Sequence, residues 1–156
     1  MAKRVPLTKG KYALVDDSDY DRIMQHKWFI NRSGYAIRHV WTGERNVTEH
    51  MHRVVIGSAC EGLDVDHING DPLDNRRSNL RVATRSQNMA NARPHIDGTG
   101  YKGVTFDKRK NKYFARICKN YKTRFLGYYA TAEAAAEAYN KAAVEAFGAY
   151  SRLNKL

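Results

Sequence analysis

The sequence predicts an α+β protein in two small parts. The first is a core in which strand, loop, strand and helix follow one another; the second is a small domain of a three-stranded antiparallel sheet packed on one helix. Three observations predict this. Strand-like runs are short and set apart by tight turns such as Ser33-Gly34 and Asn69-Gly70. A single long helical pattern, Ala132–Phe147, follows three strand-like runs rather than alternating with them. Charge divides the chain as well: residues 1–100 hold 15 Lys/Arg and 12 Asp/Glu, net +3, whereas residues 101–156 hold 12 and 4, net +8. A length of 156 residues suits one domain or two small ones.

In chain order, Tyr12–Val15 reads as a short strand and Ser18–His26 as a helix with an acidic first turn. Trp28–Ile30 and Tyr35–Val40 read as strands around the Ser33-Gly34 turn, while His50–Ile56 fits a short helix or a strand equally well. Asp64–Ile68 is a strand, Asn69-Gly70 a tight turn, Leu80–Thr84 a second strand and Arg85–Asn91 the start of a helix. The polar, Pro- and Gly-bearing stretch at 94–100 reads as a linker between residues 1–93 and residues 101–156. Beyond it, Gly103–Phe106, Tyr113–Cys118 and Thr123–Tyr129 alternate as strands. Thr131 is suited to N-cap the helix Ala132–Phe147, and Gly148 to end it. Ala135, Ala138, Tyr139, Ala142 and Ala146 form a stripe of mostly small residues that lets this helix lie close to the sheet.

Composition excludes several classes. A hydrophobic content of 42% supports a folded core and argues against wholesale disorder. Two cysteines far apart, Cys60 and Cys118, cannot make a disulfide framework or a four-thiolate zinc site, and they fit a reducing compartment. No apolar run is long enough to span a membrane, and the start of the chain lacks a signal-peptide core. The expected protein is soluble and intracellular. A net charge of +11 points to a polyanionic partner, most often nucleic acid.

The chemistry concentrates in Val65-Asp66-His67-Ile68-Asn69-Gly70 and Asp74-Asn75-Arg76-Arg77-Ser78-Asn79-Leu80-Arg81. Asp66 and His67 are neighbours at a strand end, so their side chains point to opposite faces and serve different jobs. One can hold a hard divalent cation through oxygen; the other, an imidazole titrating near neutrality, can activate water. Asn88, on the following helix, can add an oxygen ligand, and Asn79 can hold the loop by hydrogen bonds.

The segment His52–Asn91 resembles the ββα-metal motif of HNH endonucleases, in the Asn-ended version of phage and homing enzymes. The spacing of 12 residues from His67 to Asn79 and 9 more to Asn88 agrees with that motif. The resemblance implies Asp66 and Asn88 as metal ligands, His67 as general base and Asn79 as the central structural Asn. It also implies one divalent cation, Mg²⁺ or Mn²⁺, and phosphodiester hydrolysis in the cytoplasm of a phage-infected or bacterial cell. His52 and Arg53 are candidates for active-site support. Arg76, Arg77, Arg81, Arg85 and Arg93 surround the motif and read as phosphate contacts.

In the C-terminal part, Tyr101-Lys102-Gly103-Val104, Leu126-Gly127-Tyr128-Tyr129 and the alanine-rich helix resemble the plant ethylene-response-factor (Apetala-two) DNA-binding domain. That resemblance implies a sheet laid in the major groove of double-stranded DNA. With Ala115 and Ile117 facing the helix, Phe114 and Arg116 face the DNA. Arg116, Lys112 and Arg124 are the first expected contacts, then Lys102 and Arg109. Two function classes follow: a metal-dependent endonuclease, or a DNA-binding regulator on a non-catalytic HNH scaffold. One base and one metal per chain, with no dimerisation element, predict a monomer that nicks one strand.

Overall fold

The computed structural model describes residues 1–93 and 98–156, and the described chain divides into two compact units, Met1–Ala83 and Thr84–Leu156. The mixed α and β architecture matches the expected fold class.

The first unit is a set of small antiparallel sheets around one core. Strands β1 (Ala2–Pro6) and β2 (Tyr12–Asp16) form a hairpin in register from Ala2↔Asp16 to Pro6↔Tyr12. Helix α1 (Asp17–Met24) follows directly, with Asp17 and Asp19 in its first turn complementing the positive end of the helix dipole. Strands β3 (Phe29–Ile30), β4 (Ala36–Trp41) and β5 (Asn46–His50) form a sheet in that order. The expected strand from Trp28 is shorter because Trp28 turns into the core, where its indole N–H donates to the Ile23 carbonyl at 2.8 Å. The ambiguous segment from His50 resolves as the end of β5 followed by α2 (Met51–Ile56). Strands β6 (Asp64–His67) and β7 (Leu80–Ala83) make the last pair.

Val5, Ala13, Val15, Ile23, Trp28, Met51, Val55, Val65 and Leu80 belong to one buried cluster. One residue from β6 and one from β7 therefore anchor the chemistry-bearing hairpin in a core built mostly by residues 1–60. Asn75 ties the intervening loop to β2: its N–H donates to Leu14 O, and Leu14 N–H donates to Leu73 O, both at 2.8 Å.

The second unit begins with α3 (Arg85–Asn91), closed by a capping box in which Thr84 and Gln87 each bond the other's backbone. Strands β8 (Val104–Asp107), β9 (Lys112–Lys119) and β10 (Lys122–Tyr129) form an antiparallel sheet with β9 central, and α4 (Ala132–Phe147) packs on it. Thr131 Oγ1 accepts from Ala134 N–H at 3.1 Å, as the N-cap reading expects. The buried face of α4 is Ala135, Ala136, Tyr139, Ala142, Ala143 and Phe147; Ala138 and Ala146 lie at its margin. Only a glycine fits at 103, where φ is 74° and an added Cβ would meet the Tyr139 ring and, at 2.7 Å, the Arg116 carbonyl oxygen.

Residues 94–97 of the expected linker lie outside the described residues. The compact units divide earlier than composition suggests, because α3 packs with the C-terminal sheet. Ala90 shares a cluster with Ile117 and Tyr139, and Lys102 Nζ donates to the carbonyls of Met89, Ala90 and Ala92 at 2.6–2.9 Å.

Candidate functional site

The β6–β7 register pairs Asp66 with Arg81 and His67 with Leu80. Both Asp66 and His67 are buried, at 5% and 6% exposure, so each must satisfy its polar atoms inside the protein. Arg81 donates from Nε to Asp66 Oδ2 at 2.8 Å, and its Nη2 lies 2.7 Å from the same oxygen. His67 Nε2 faces Asn75 Oδ1 at 3.3 Å. Asn75 is fully buried, and its amide orientation is set by Nδ2 donating to Leu73 O at 3.2 Å. An oxygen facing Nε2 requires the proton there, so Nδ1 is the lone-pair nitrogen of the ring.

The loop from Ile68 to Asn79 is held from within. Asn79 Oδ1 accepts from Asn69 N–H, and Asn79 Nδ2 donates to Asn69 Oδ1 and to Asp74 O, all at 2.8–3.0 Å. Asn69 Nδ2 donates to Asp74 Oδ2, and Arg76 forks onto both Asp74 oxygens at 2.6–2.7 Å. The Arg76 guanidinium holds the Asp74 carboxyl below the usual carboxylate range. Gly70 takes φ 72° as the turn closes with its N–H on His67 O at 2.8 Å. Arg77 anchors the far end: Nε and Nη2 fork onto Asp19 at 2.7 and 2.8 Å, and Nη2 also reaches Val55 O.

Aromatic rings close the other side of His67. His52 stands edge-on to it, with centroids 5.0 Å apart and planes at 88°, and Tyr35 lies at 6.0 Å. His50 lies 5.2 Å from His52 and 5.7 Å from Tyr35. Burial pulls the His52 pKa down to about 3, helped by positive charge at His67, His50 and Arg53. Burial also lowers His50 and His67; at His67 the Asn75 bond and the carboxylates of Asp66, Asp71 and Asp74 oppose it. His67 is thus a neutral imidazole at physiological pH, with carboxylates placed to stabilise it once protonated. Among the described residues, no three His, Cys, Asp or Glu side chains are grouped to hold a metal ion.

The HNH endonuclease family matches residues 49–90, the span that carries this constellation. Over 149 residues the chain is 31% identical to an uncharacterized HNH endonuclease of Acanthamoeba polyphaga mimivirus, covering 95% of this chain and 77% of that relative. The chain belongs to the HNH endonuclease family. No solved structure matches it.

Family membership makes this HNH endonuclease a nuclease, and HNH nucleases generally use a divalent metal ion. Of the four motif residues, Asp66, His67 and Asn79 sit on or beside the β6–β7 hairpin of the first unit, and Asn88 sits on α3 of the second. His52 packs on His67, whereas Arg53 holds the approach to β6 through Cys60 O and Leu63 O, both at 3.0 Å.

Several arginines read as phosphate contacts are engaged within the protein instead: Arg76 with Asp74, Arg77 with Asp19, and Arg81 with Asp66. Lys102 caps the carbonyl end of α3, and Arg124 lies on the helix side of the sheet, 3.1 Å from Glu145. Arg93, Arg109, Lys112 and Arg116 are exposed, and Arg85 lines a groove of about 510 Å³ with Met89, Tyr121 and Tyr139. Sequence reasoning missed Asn75, Asn69, Asp74, Tyr35 and His50. The first three were visible as a cluster of short polar residues in a loop, the composition of a self-bonded turn. Nothing local marked Tyr35 or His50.

Among the described residues, no helix is long and apolar enough to cross a membrane.

Proposed function

We propose that this protein is a metal-dependent DNA endonuclease that nicks one strand per chain, with His67 as general base. The observation that carries the reading is the environment of His67: buried, oriented through Nε2 by Asn75 and kept neutral, with the field of nearby carboxylates favouring its protonated form. In the reaction, Nδ1 of His67 takes a proton from water as the water oxygen bonds to phosphorus and the bond to the 3′ oxygen breaks. The leaving 3′ oxygen takes a proton from solvent, so the products are a 5′-phosphate and a 3′-hydroxyl. The field of Asp66, Asp71 and Asp74 favours the imidazolium that forms until it releases its proton to solvent. Asn79 keeps the loop closed around the base. Asp66 and Asn88 offer oxygen donors only, the class that Mg²⁺ and Mn²⁺ take. A bound divalent cation would supply charge neutralisation at the scissile phosphate and the leaving oxygen.

The C-terminal unit is read as an Apetala-two-like module that grips double-stranded DNA. Supporting this are its strand and helix order, the net charge of +8 on residues 101–156, and the exposed Arg116 and Lys112 on the sheet face away from α4. The single candidate site per chain supports reading it as a monomer that cuts one strand at a time.

The Arg81 guanidinium already neutralising Asp66 favours a second reading, a DNA-binding regulator on a scaffold that does not cut. A plasmid assay with Mg²⁺ or Mn²⁺ decides between them. The nuclease reading expects supercoiled plasmid to pass to open circle, with linear product late and dependent on enzyme concentration. It also expects His67→Ala to slow cleavage by about 10²–10⁴-fold at nearly unchanged DNA affinity. No cleavage by the wild type with either ion would leave the regulator. Prompt linearisation at low enzyme concentration would refute the nicking monomer, and cleavage by His67→Ala at the wild-type rate would refute the base.

A further inference from the structure

The C-terminal sheet presents rings on the face turned away from α4, where an exposed antiparallel face ordinarily carries polar side chains. The register sets Tyr128 opposite Phe114 and Phe125 opposite Arg116, while Ala115 and Ile117 are buried on the helix side. Phe114, Phe125 and Tyr128 close into a triangle with centroids 5.2, 6.0 and 6.2 Å apart. Phe125 remains 55% and Tyr128 37% exposed. Asp107 accepts from the Tyr128 hydroxyl at 3.1 Å, which fixes that ring. Cations flank the triangle: Lys110 Nζ lies 4.1 Å from the Tyr128 ring, the Arg116 guanidinium 5.9 Å from Phe114, and Lys112 is exposed at the start of β9.

Exposed rings grouped in this way leave apolar area in water unless a partner covers them. The flanking charge calls for an anionic partner, and the rings call for one with bare π faces. A DNA duplex satisfies only the first requirement, because its bases hide their faces in the stack and offer edges in the grooves. Unpaired bases on a phosphate backbone satisfy both.

We propose that this face is a stacking platform for the unpaired bases of single-stranded DNA. Phe125 and Tyr128 are the stacking rings, Phe114 backs them, and Arg116, Lys110 and Lys112 meet the phosphates. The inference rests on the reading of this unit as a DNA grip, and it adds single-stranded DNA to the duplex as a substrate of that grip.

The test is fluorescence anisotropy of the full chain, in EDTA so that nothing is cut, with a labelled thymidine oligonucleotide and a mixed-sequence duplex of equal length. Phe125→Ala and Tyr128→Ala remove exposed rings, and unchanged melting of each variant shows that the sheet is intact. Each is expected to weaken single-strand binding by about tenfold or more while duplex affinity moves less than about twofold. Phe125→Trp is expected to restore single-strand binding and Phe125→Leu to fail. Unchanged single-strand affinity in both ring variants, or equal losses on single strand and duplex, would overturn the platform and leave the duplex grip standing. Full rescue by Phe125→Leu would overturn stacking in favour of apolar contact. A wild type that binds neither probe at low salt would overturn the platform and the grip together.

Discussion

Asn75→Asp is the sharpest perturbation of the candidate base, because it changes one atom of a fully buried side chain whose Oδ1 lies 3.3 Å from His67 Nε2. In the wild type, burial lowers the His67 pKa against a neutral amide partner. A carboxylate in its place favours the imidazolium through a charge-assisted hydrogen bond, worth about 1.5–3 kcal/mol. That corresponds to about one pH unit or more, discounted by the cost of burying the new carboxylate itself. The acidic limb of kcat/KM for plasmid nicking should therefore move to higher pH by about one unit. Below the limb, the variant should run about tenfold slower than the wild type; near pH 8.5 the two rates should converge. Melting curves at that pH check that the loop still closes, since the variant loses the Nδ2 bond to Leu73 O and keeps the backbone bond from residue 75 to Leu14. Superimposable pH profiles in a folded variant would show that Asn75 does not govern the base, and the assignment of Nδ1 as its acting nitrogen would fall.

Arg77→Met removes the fork onto the buried Asp19 and leaves that carboxylate to Arg22 alone. It should cost about 1–2 kcal/mol by denaturant titration, because Arg77 is half exposed and Arg22 still compensates Asp19, and a loss under about 0.5 kcal/mol would show the network to be redundant. His52, with its folded pKa at about 3 and an ordinary value of 6.5, binds its proton more readily in the unfolded chain. Its contribution is whole above about pH 6.5 and declines as pH falls toward 3, by about 2 kcal/mol at pH 5. His52→Asn should flatten that decline, and an unchanged slope would contradict it. Gly103→Ala forces a Cβ against the Tyr139 ring and the Arg116 carbonyl at a positive φ. A loss of about 2 kcal/mol or more is expected, read as a lowered Tm.

Much of the hairpin that carries the site was legible from residues 64–84, because its rules are local. The pleat alone sends Asp66 and His67 to opposite faces, and Asn-Gly marks the turn after them. The β9 alternation, burying Ala115 and Ile117 and leaving Phe114 and Arg116 outward, was legible for the same reason. The Thr131 cap needs only the next turn of helix to be satisfied, and it too followed from sequence. Strands β1 and β5 were not read. Lys3-Arg4-Val5 and Asn46-Val47-Thr48 carry too few apolar residues to signal alternation, and they are strands because β2 and β4 offer a partner edge.

By itself the sequence determined which residue types stand at the strand end, how they alternate, and where the excess charge lies. Tertiary structure alone decided how those residues are used. His67, the candidate base, owes its orientation to Asn75, and Asn75 is buried because residues 14 and 73–75 hydrogen-bond across the unit. Tyr35 and His52 wall the imidazole, with His50 packed behind them, because β4, β5 and α2 meet there, which no spacing along the chain announces. Arg77 faces Asp19 from 58 residues away, so a side chain that composition offers to phosphate is taken up inside the protein. The physical reason is range: periodicity, capping and turn chemistry act within a few residues, whereas burial and ion pairing depend on which distant segments the core brings together.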